Sequence, residues 1–189
     1  MNILVDALPE AVAIGGREYA INSDFRVCLR TIMAFEDNDL TPAEKEMVML
    51  QNLYPTQPDN LQTATTQALR FLNGGKADNG DQEPAPRLYS FSKDADLIFA
   101  AFRQTHGIDL ETAVMHWWKF LALFMDLGQD TAFCQLVALR QRVKTGKATK
   151  EERAAATKMG DAFDVPDVDD RTLDEKERER EFLRLVGGG

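Results

Sequence analysis

Cysteine is scarce in this sequence, and its scarcity excludes two classes of protein. Only two cysteines occur among 189 residues. They are too few for the disulfide framework of a small secreted domain, and Cys28 and Cys134 do not have the spacing of metal ligands. Each lies on a predicted helix and outside any recognisable nucleophile motif. We therefore interpret both as reduced core thiols of a cytoplasmic protein and predict no catalytic role for either.

Histidine is equally scarce, with two residues in the chain. His106 and His116 could be grouped with Asp109 and Glu111, but the spacing matches no ligand pattern such as H-E-x-x-H, and Gly107 is expected to end a helix between them. We expect His106 near that helix C-terminus, where its ring can meet free carbonyl groups, and His116 on the polar face of the next helix. The sequence thus predicts no metal, no cofactor, no catalytic residue and no small-molecule substrate.

Positive charge and long apolar runs are lacking as well. The net charge is −9 and the pI is near 4.8, so we expect no surface that neutralises nucleic-acid phosphates. No uncharged apolar run approaches the roughly 20 residues of a membrane-spanning helix. Residues 1–12 include a short apolar run but no basic region, and Asp6 interrupts them, so we predict no secretory signal. These properties favour a cytosolic protein with protein partners.

The most apolar stretch runs from Thr112 to Leu127 and predicts a buried central helix. Large apolar residues recur there at helical spacing and leave only a narrow polar stripe. Trp117 and Trp118 could form a stacking platform for bases or sugars, but neighbouring helical residues point about 100° apart, which favours core packing for both. The residues expected on the main core face are Val114, Trp117, Trp118, Leu121 and Phe124.

Three stretches in and around this helix resemble a known family. They are Ile21–Arg26, Phe102–Leu110 and His116–Phe120. They are similar to the gene-product-fifteen family of tailed phages and prophages of Gram-positive bacteria, and the likeness covers most of residues 1–165. Genes of this family typically lie between those of the major tail protein and the tape-measure protein, where tail assembly chaperones are usually encoded. The resemblance implies a role in building a long non-contractile tail, and it implies no active site.

Turn and capping residues predict a hairpin and several helices. Gly15-Gly16 can adopt the positive φ angles of a two-residue hairpin turn within residues 11–21, with Val12 opposite Tyr19, and this hairpin must pack on the helices or join strands of another subunit. No Lys-Ser/Thr follows the glycines, so they are not a phosphate loop. The second and third helices are expected to face the core with Met47, Val48 and Leu50 and with Leu61, Ala68, Leu69 and Leu72. The predicted helix caps or first residues are Asn22 or Ser23, Thr41, Asn60, Ser92, Asp109 or Thr112, Asp130 and Thr149.

Three segments have unusual composition. Residues 74–86 are rich in Gly, Pro and charge, which predicts a mobile loop. Residues 140–158 carry seven basic side chains against two acidic ones, either as a solvated helix end or as a contact for an acidic partner or the chain's own acidic tail. Beyond a core domain of residues 1–165, residues 166–189 predict an acidic linker and a helical arm, 171–186. The arm is marginal alone, so we expect it to serve association.

These features predict a mainly α protein, a compact helical domain with a short N-terminal β-hairpin and a C-terminal helical arm. The expected function is that of a non-enzymatic siphophage tail assembly chaperone, which reversibly covers apolar helical surface of the tape-measure protein in the host cytoplasm. One alternative is a minor structural component retained in the virion tail. The other is an acidic phage-encoded host-interaction protein. The expected partners are tail proteins, and a homo-oligomer is left open; no nucleic acid and no membrane is expected.

Overall fold

The computed structural model describes residues 2–76 and 86–165, and this part of the chain is mainly α, as predicted. The predicted linker and arm, 166–189, and most of the predicted loop lie outside the described residues, so the division at residue 165 stays a prediction. The strands are β1 (Ala11–Ile14) and β2 (Arg17–Ala20). The helices are α1 (Phe25–Glu36), α2 (Pro42–Leu53), α3 (Leu61–Leu72), α4 (Ala95–His106), α5 (Trp117–Met125), α6 (Ala132–Lys144) and α7 (Lys150–Met159), followed by a 3-10 turn, Gly160–Ala162.

The hairpin has the predicted register and packs on a helix of its own chain. β1 and β2 are antiparallel with Val12 opposite Tyr19. Gly15 and Gly16 have φ angles of 59° and 83°, the left-handed values that this turn requires. β1 contacts α3, and Tyr19 also donates a hydrogen bond from its hydroxyl to the Asp59 carboxylate at 3.0 Å. The hairpin therefore packs on the helices, which is the first of the two supports predicted for it.

The central helix is shorter than predicted. It begins at Trp117, five residues after Thr112, and Val114, expected in the core, is 93% exposed. Local hydrogen bonds to Asp109 explain the difference, because its carboxylate accepts the Glu111 N–H at 3.0 Å and its carbonyl accepts the Ala113 N–H at 2.9 Å. The chain therefore turns and then extends through His116, which pairs with Asp24 in an isolated bridge.

The buried face of α5 is the centre of the aromatic core, as predicted. Trp117 is 1% exposed and Phe120 is fully covered. The Phe120 ring stacks on Phe25 of α1 at 5.2 Å, on Phe102 of α4 at 4.9 Å and on Trp117 at 5.5 Å between ring centroids. Aromatic rings buried at these distances add attraction beyond the area that they bury. Three helices are thus joined through one phenylalanine.

Most helix starts agree with the sequence to within a residue. Thr41 and Thr149 form the two predicted capping boxes, and Asn60 caps α3. The caps of α1 and α6 are Asp24 and Thr131, each one residue later than predicted. Gly107 ends α4 with a φ of 66°, as predicted. The predicted cap at the start of α4 was Ser92, but the helix begins at Ala95, three residues later.

The predicted inward residues of α2 and α3 were partly wrong. Ala68 and Leu72 are buried and Leu50 packs against the core, as predicted. Met47, Leu61 and Leu69 are exposed. The buried residues of α2 are Lys45, Met49 and Leu53, and those of α3 are Ala64, Ala68, Phe71 and Leu72. Both helices have apolar side chains on more than one face, so periodicity alone does not fix which face packs.

Candidate binding groove

The stretches that carry the family resemblance meet in space around the start of α5. The Arg26 guanidinium donates to the carbonyl of Ala113 at 2.8 Å, and to those of Leu110 and Glu111 at 2.7 and 2.9 Å. One strand-like contact reinforces this, because the Ser23 carbonyl accepts the Trp117 N–H at 2.7 Å. Hydrogen bonds from a charged donor are the stronger kind. The motif residues therefore hold the loop before α5 against the start of α1.

Both histidines have structural partners. His116 caps α5, because its Nδ1 accepts the Trp118 N–H at 3.0 Å, and its Nε2 lies 2.9 Å from the Pro9 carbonyl. Since Nδ1 accepts the Trp118 N–H, Nε2 is the ring nitrogen placed to donate to the Pro9 carbonyl. His106 lies in the last turn of α4, as predicted, with Nε2 2.9 Å from the Leu123 carbonyl. No group of three potential ligands that could hold a metal occurs within residues 2–76 and 86–165.

The cysteines are free, and one is deeply buried. Burial, with a smaller contribution from the Asp24 carboxylate, raises the pKa of the Cys28 thiol to about 12. A thiol with so high a pKa is almost entirely protonated at neutral pH, whereas the thiolate is the nucleophile. Its environment therefore opposes nucleophilic chemistry at Cys28.

The basic stretch 140–158 divides into a buried part and an exposed part. Arg140 is fully buried and donates to both carboxylate oxygens of Asp94, at 2.7 and 3.0 Å. This pairing explains why Asp94 gives α4 no side-chain cap. Arg140 also donates to the carbonyls of Leu88, Ala162 and Phe163. Further along, Arg142 pairs with Glu152 at 2.8 Å, whereas Lys147, Lys150, Arg153 and Lys158 are exposed.

A second acidic residue holds the segment before α4. The Glu36 carboxylate accepts the Ser90 hydroxyl at 2.6 Å and the Phe91 and Ser92 N–H groups at 3.1 and 3.3 Å, and it pairs with Arg87. No local pattern predicts this contact, because Glu36 belongs to an acidic run that is typical of a helix end. Glu36 of α1 and Arg140 of α6 together hold residues 87–94 against these two helices.

An apolar groove of about 850 Å³ lies between the N-terminal segment, the C-terminal end of α3 and one face of α5. The helix α5 contributes Trp118, Leu121, Ala122 and Met125, and the N-terminal segment contributes Ile3, Pro9, Ala11 and Val12. Met125 is 82% exposed at this surface, so an apolar side chain that could pack against a partner faces solvent. An exposed apolar patch of this kind is typical of an interaction site.

Trp118 forms the floor of the groove and is held in one orientation. Its indole N–H donates to the Phe71 carbonyl at 2.8 Å, and the two rings lie 5.7 Å apart. Gly75, with a φ of 78°, passes so close that an added Cβ would lie 2.6 Å from the indole ring. Only glycine fits there. The sequence predicts Trp118 in the core and Gly75 as the end of a helix. In the structure Trp118 is half-buried instead, and Gly75 lies against its ring.

The two tryptophans do not form a joint stacking platform. Trp117 is buried and donates its indole N–H to the Leu72 carbonyl at 2.8 Å, whereas only Trp118 reaches the groove. Arg70 and Lys76 line one part of the groove and place positive charge beside the apolar floor of an acidic protein. Such a surface fits an amphipathic helix whose apolar face is flanked by acidic residues.

Among the described residues, no helix is long and apolar enough to cross a membrane. A comparison with protein-family models matches residues 4–165 to the family described as Bacteriophage Gp15 protein. The match spans the hairpin, all seven described helices and every residue that lines the groove except Ile3. No curated protein and no solved structure matches the chain.

Proposed function

Because the chain belongs to the Bacteriophage Gp15 protein family, we propose that it is a non-enzymatic chaperone of tail assembly that binds the tape-measure protein. The single observation that carries this proposal is the apolar groove between the N-terminal segment, α3 and α5. The expectation that such genes lie beside the tape-measure gene supplies the partner. Tape-measure chains awaiting assembly have to keep apolar helical surface away from water and from one another, and a groove of this kind covers such surface.

The proposed mechanism is reversible helix-in-groove binding. An amphipathic helix of the tape-measure protein places apolar side chains against Trp118, Leu121 and Met125, which all lie on α5, a helix that packs into the core. A fixed groove needs little ordering on binding, which favours association. Its limited size favours a transient complex over a permanent one, because permanent interfaces bury much larger areas. The partner can then leave when the tail tube polymerises.

The test is co-expression of the tape-measure protein with variants of this chain. Met125→Glu places a charge at the mouth of the groove, and because Met125 is 82% exposed the fold should tolerate it. Val114→Glu is the matched control, since Val114 is also a highly exposed apolar residue and does not line the groove. We expect the native chain and Val114→Glu to keep the tape-measure protein soluble and Met125→Glu to lose most of that effect. Equal solubility with both variants would contradict the proposal.

A further inference from the structure

The sequence beyond the described residues contains a helical pattern that matches the groove in both apolar and charge character. On a helix, residues spaced by three or four positions share one face. In residues 171–186 that face carries two acidic residues followed by three apolar ones, namely Glu175, Glu179, Phe182, Leu183 and Val186. The other large apolar residues of the segment, Leu173 and Leu185, fall on different faces. The pattern thus predicts an amphipathic helix with an acidic end.

We propose that the C-terminal segment 171–186 of this chain binds in its own groove, as a helix, and competes there with the partner. Phe182, Leu183 and Val186 pack against Trp118, Leu121 and Met125. Glu175 and Glu179 lie on the side of Arg70 and Lys76. Both cations are at the groove surface, so this orientation brings opposite charges together.

A short tether joins the segment to the described chain. Residues 166–170 span about 17 Å when extended, at about 3.3 Å per residue, and the helix adds about 1.5 Å per residue, so Phe182 can lie up to about 35 Å from residue 165. A compact domain of this length has a radius of gyration of about 15 Å. A short flexible tether also holds its segment at an effective concentration in the millimolar range. A helix with a small apolar face, marginal in isolation, can therefore fold on this surface.

Docking has a consequence for how the groove works, and that consequence, unlike the docking itself, rests on the proposed function. An apolar groove left open would promote association between copies of the chain. A weakly held segment of the same chain covers it and yields to a partner helix that binds more tightly. The C-terminal segment then sets a threshold affinity for the partner.

The test compares two leucine substitutions in the full-length chain. Leu183→Glu puts a charge on the face predicted to enter the groove, and Leu185→Glu puts the same charge two residues away on another face. We expect Leu183→Glu to raise amide hydrogen exchange in residues 2–12 and 118–125, which flank the groove, and to shift tryptophan fluorescence to longer wavelength as Trp118 gains water. Leu185→Glu should match the native chain in both measurements.

A charge reversal tests the orientation. Glu179→Lys alone should reproduce the increased exchange, and adding Lys76→Glu should restore most of the native protection. Leu183→Glu without effect on exchange or fluorescence would overturn the proposal. Effects that depend on protein concentration, with a doubled mass in light scattering, would also overturn it and assign the groove to the segment of a second copy.

The same variants separate this inference from the proposed function. If Leu183→Glu has no effect on exchange but Met125→Glu still abolishes solubilisation of the tape-measure protein, the self-docking fails and the chaperone function stands. If Leu183→Glu changes exchange as expected but no variant affects the tape-measure protein, the docking stands and the chaperone function fails.

Discussion

At the scale of single residues, the two adjacent tryptophans differ in burial and in role. Trp117 is buried against Phe120 and bonded to the Leu72 carbonyl, whereas Trp118 is half-buried on the groove floor. Trp117→Ala should lower the free energy of unfolding by about 3–5 kcal/mol, because it leaves a large cavity. Trp118→Ala should have a smaller effect on stability and a larger one on binding. Chemical denaturation measures the first, and equal losses of stability for the two variants would contradict the assignment.

The buried thiol makes a second prediction, on alkaline stability. Cys28 keeps its proton in the folded state up to a pKa of about 12, above its ordinary value near 9. Because the folded pKa is raised, the stability linked to this group is present below pH 9 and is lost as the pH rises from 9 towards 12. Burial also raises the pKa of Tyr54 to about 12, so it adds to the same decline.

The measurement is the free energy of unfolding as a function of pH from 8 to 11. The native chain should lose stability across this range, and Cys28→Ala, which removes the titrating group, should show a flatter decline. The variant will start from lower stability, so the slopes and not the absolute values are compared. Identical slopes would show that Cys28 is accessible to water in the folded state.

At the scale of elements, the Arg140–Asp94 pair joins α6 to the start of α4 and to the chain after α7. Removing one partner leaves a buried charge without compensation, which typically destabilises by about 3–5 kcal/mol. We therefore expect Arg140→Met to have an effect of that size in thermal or chemical denaturation. Arg142→Ala is the control, because its pair with Glu152 is partly exposed and should contribute less than about 1 kcal/mol. Similar small losses for both would contradict the structural role of Arg140.

Local signals predicted the elements well, and distant contacts account for what they missed. Capping boxes at Thr41 and Thr149 and the glycines of the hairpin act within four residues, so the sequence suffices to find them. The late start of α5 depends on the local turn at Asp109 and also on Arg26, whose guanidinium donates to carbonyls more than 80 residues away. Likewise, Arg140 reads as one cation of a basic stretch until Asp94, 46 residues earlier, is placed beside it.

The groove was also beyond the reach of the sequence. Its walls come from the N-terminal segment, the end of α3 and α5, so it exists only after the chain has folded. The one local signal was the Gly74-Gly75 pair, which reads as a helix stop. The reason that residue 75 has to be glycine, the closeness of the Trp118 ring, is a tertiary contact. Trp118 itself was placed in the core because periodicity does not separate a groove floor from a buried face.

At the scale of the whole molecule, an acidic protein offers an apolar surface with two cations beside it. A net charge of −9 opposes electrostatic attraction to nucleic-acid phosphates and to other copies of the chain. Such a protein can present Met125 to water and remain soluble. Mass spectrometry of purified virions separates the proposed chaperone, which should be absent from the particle, from a minor tail component, which should be present.

The most direct test of the groove as the tape-measure site is photo-crosslinking in cells that express both proteins. A photoreactive amino acid is placed at Met125, on the groove, or at Val114, an exposed apolar position of the described surface away from the groove. The account predicts a crosslink to the tape-measure protein from position 125 and none from position 114. Crosslinks of equal yield from both positions, or from 114 alone, would contradict it.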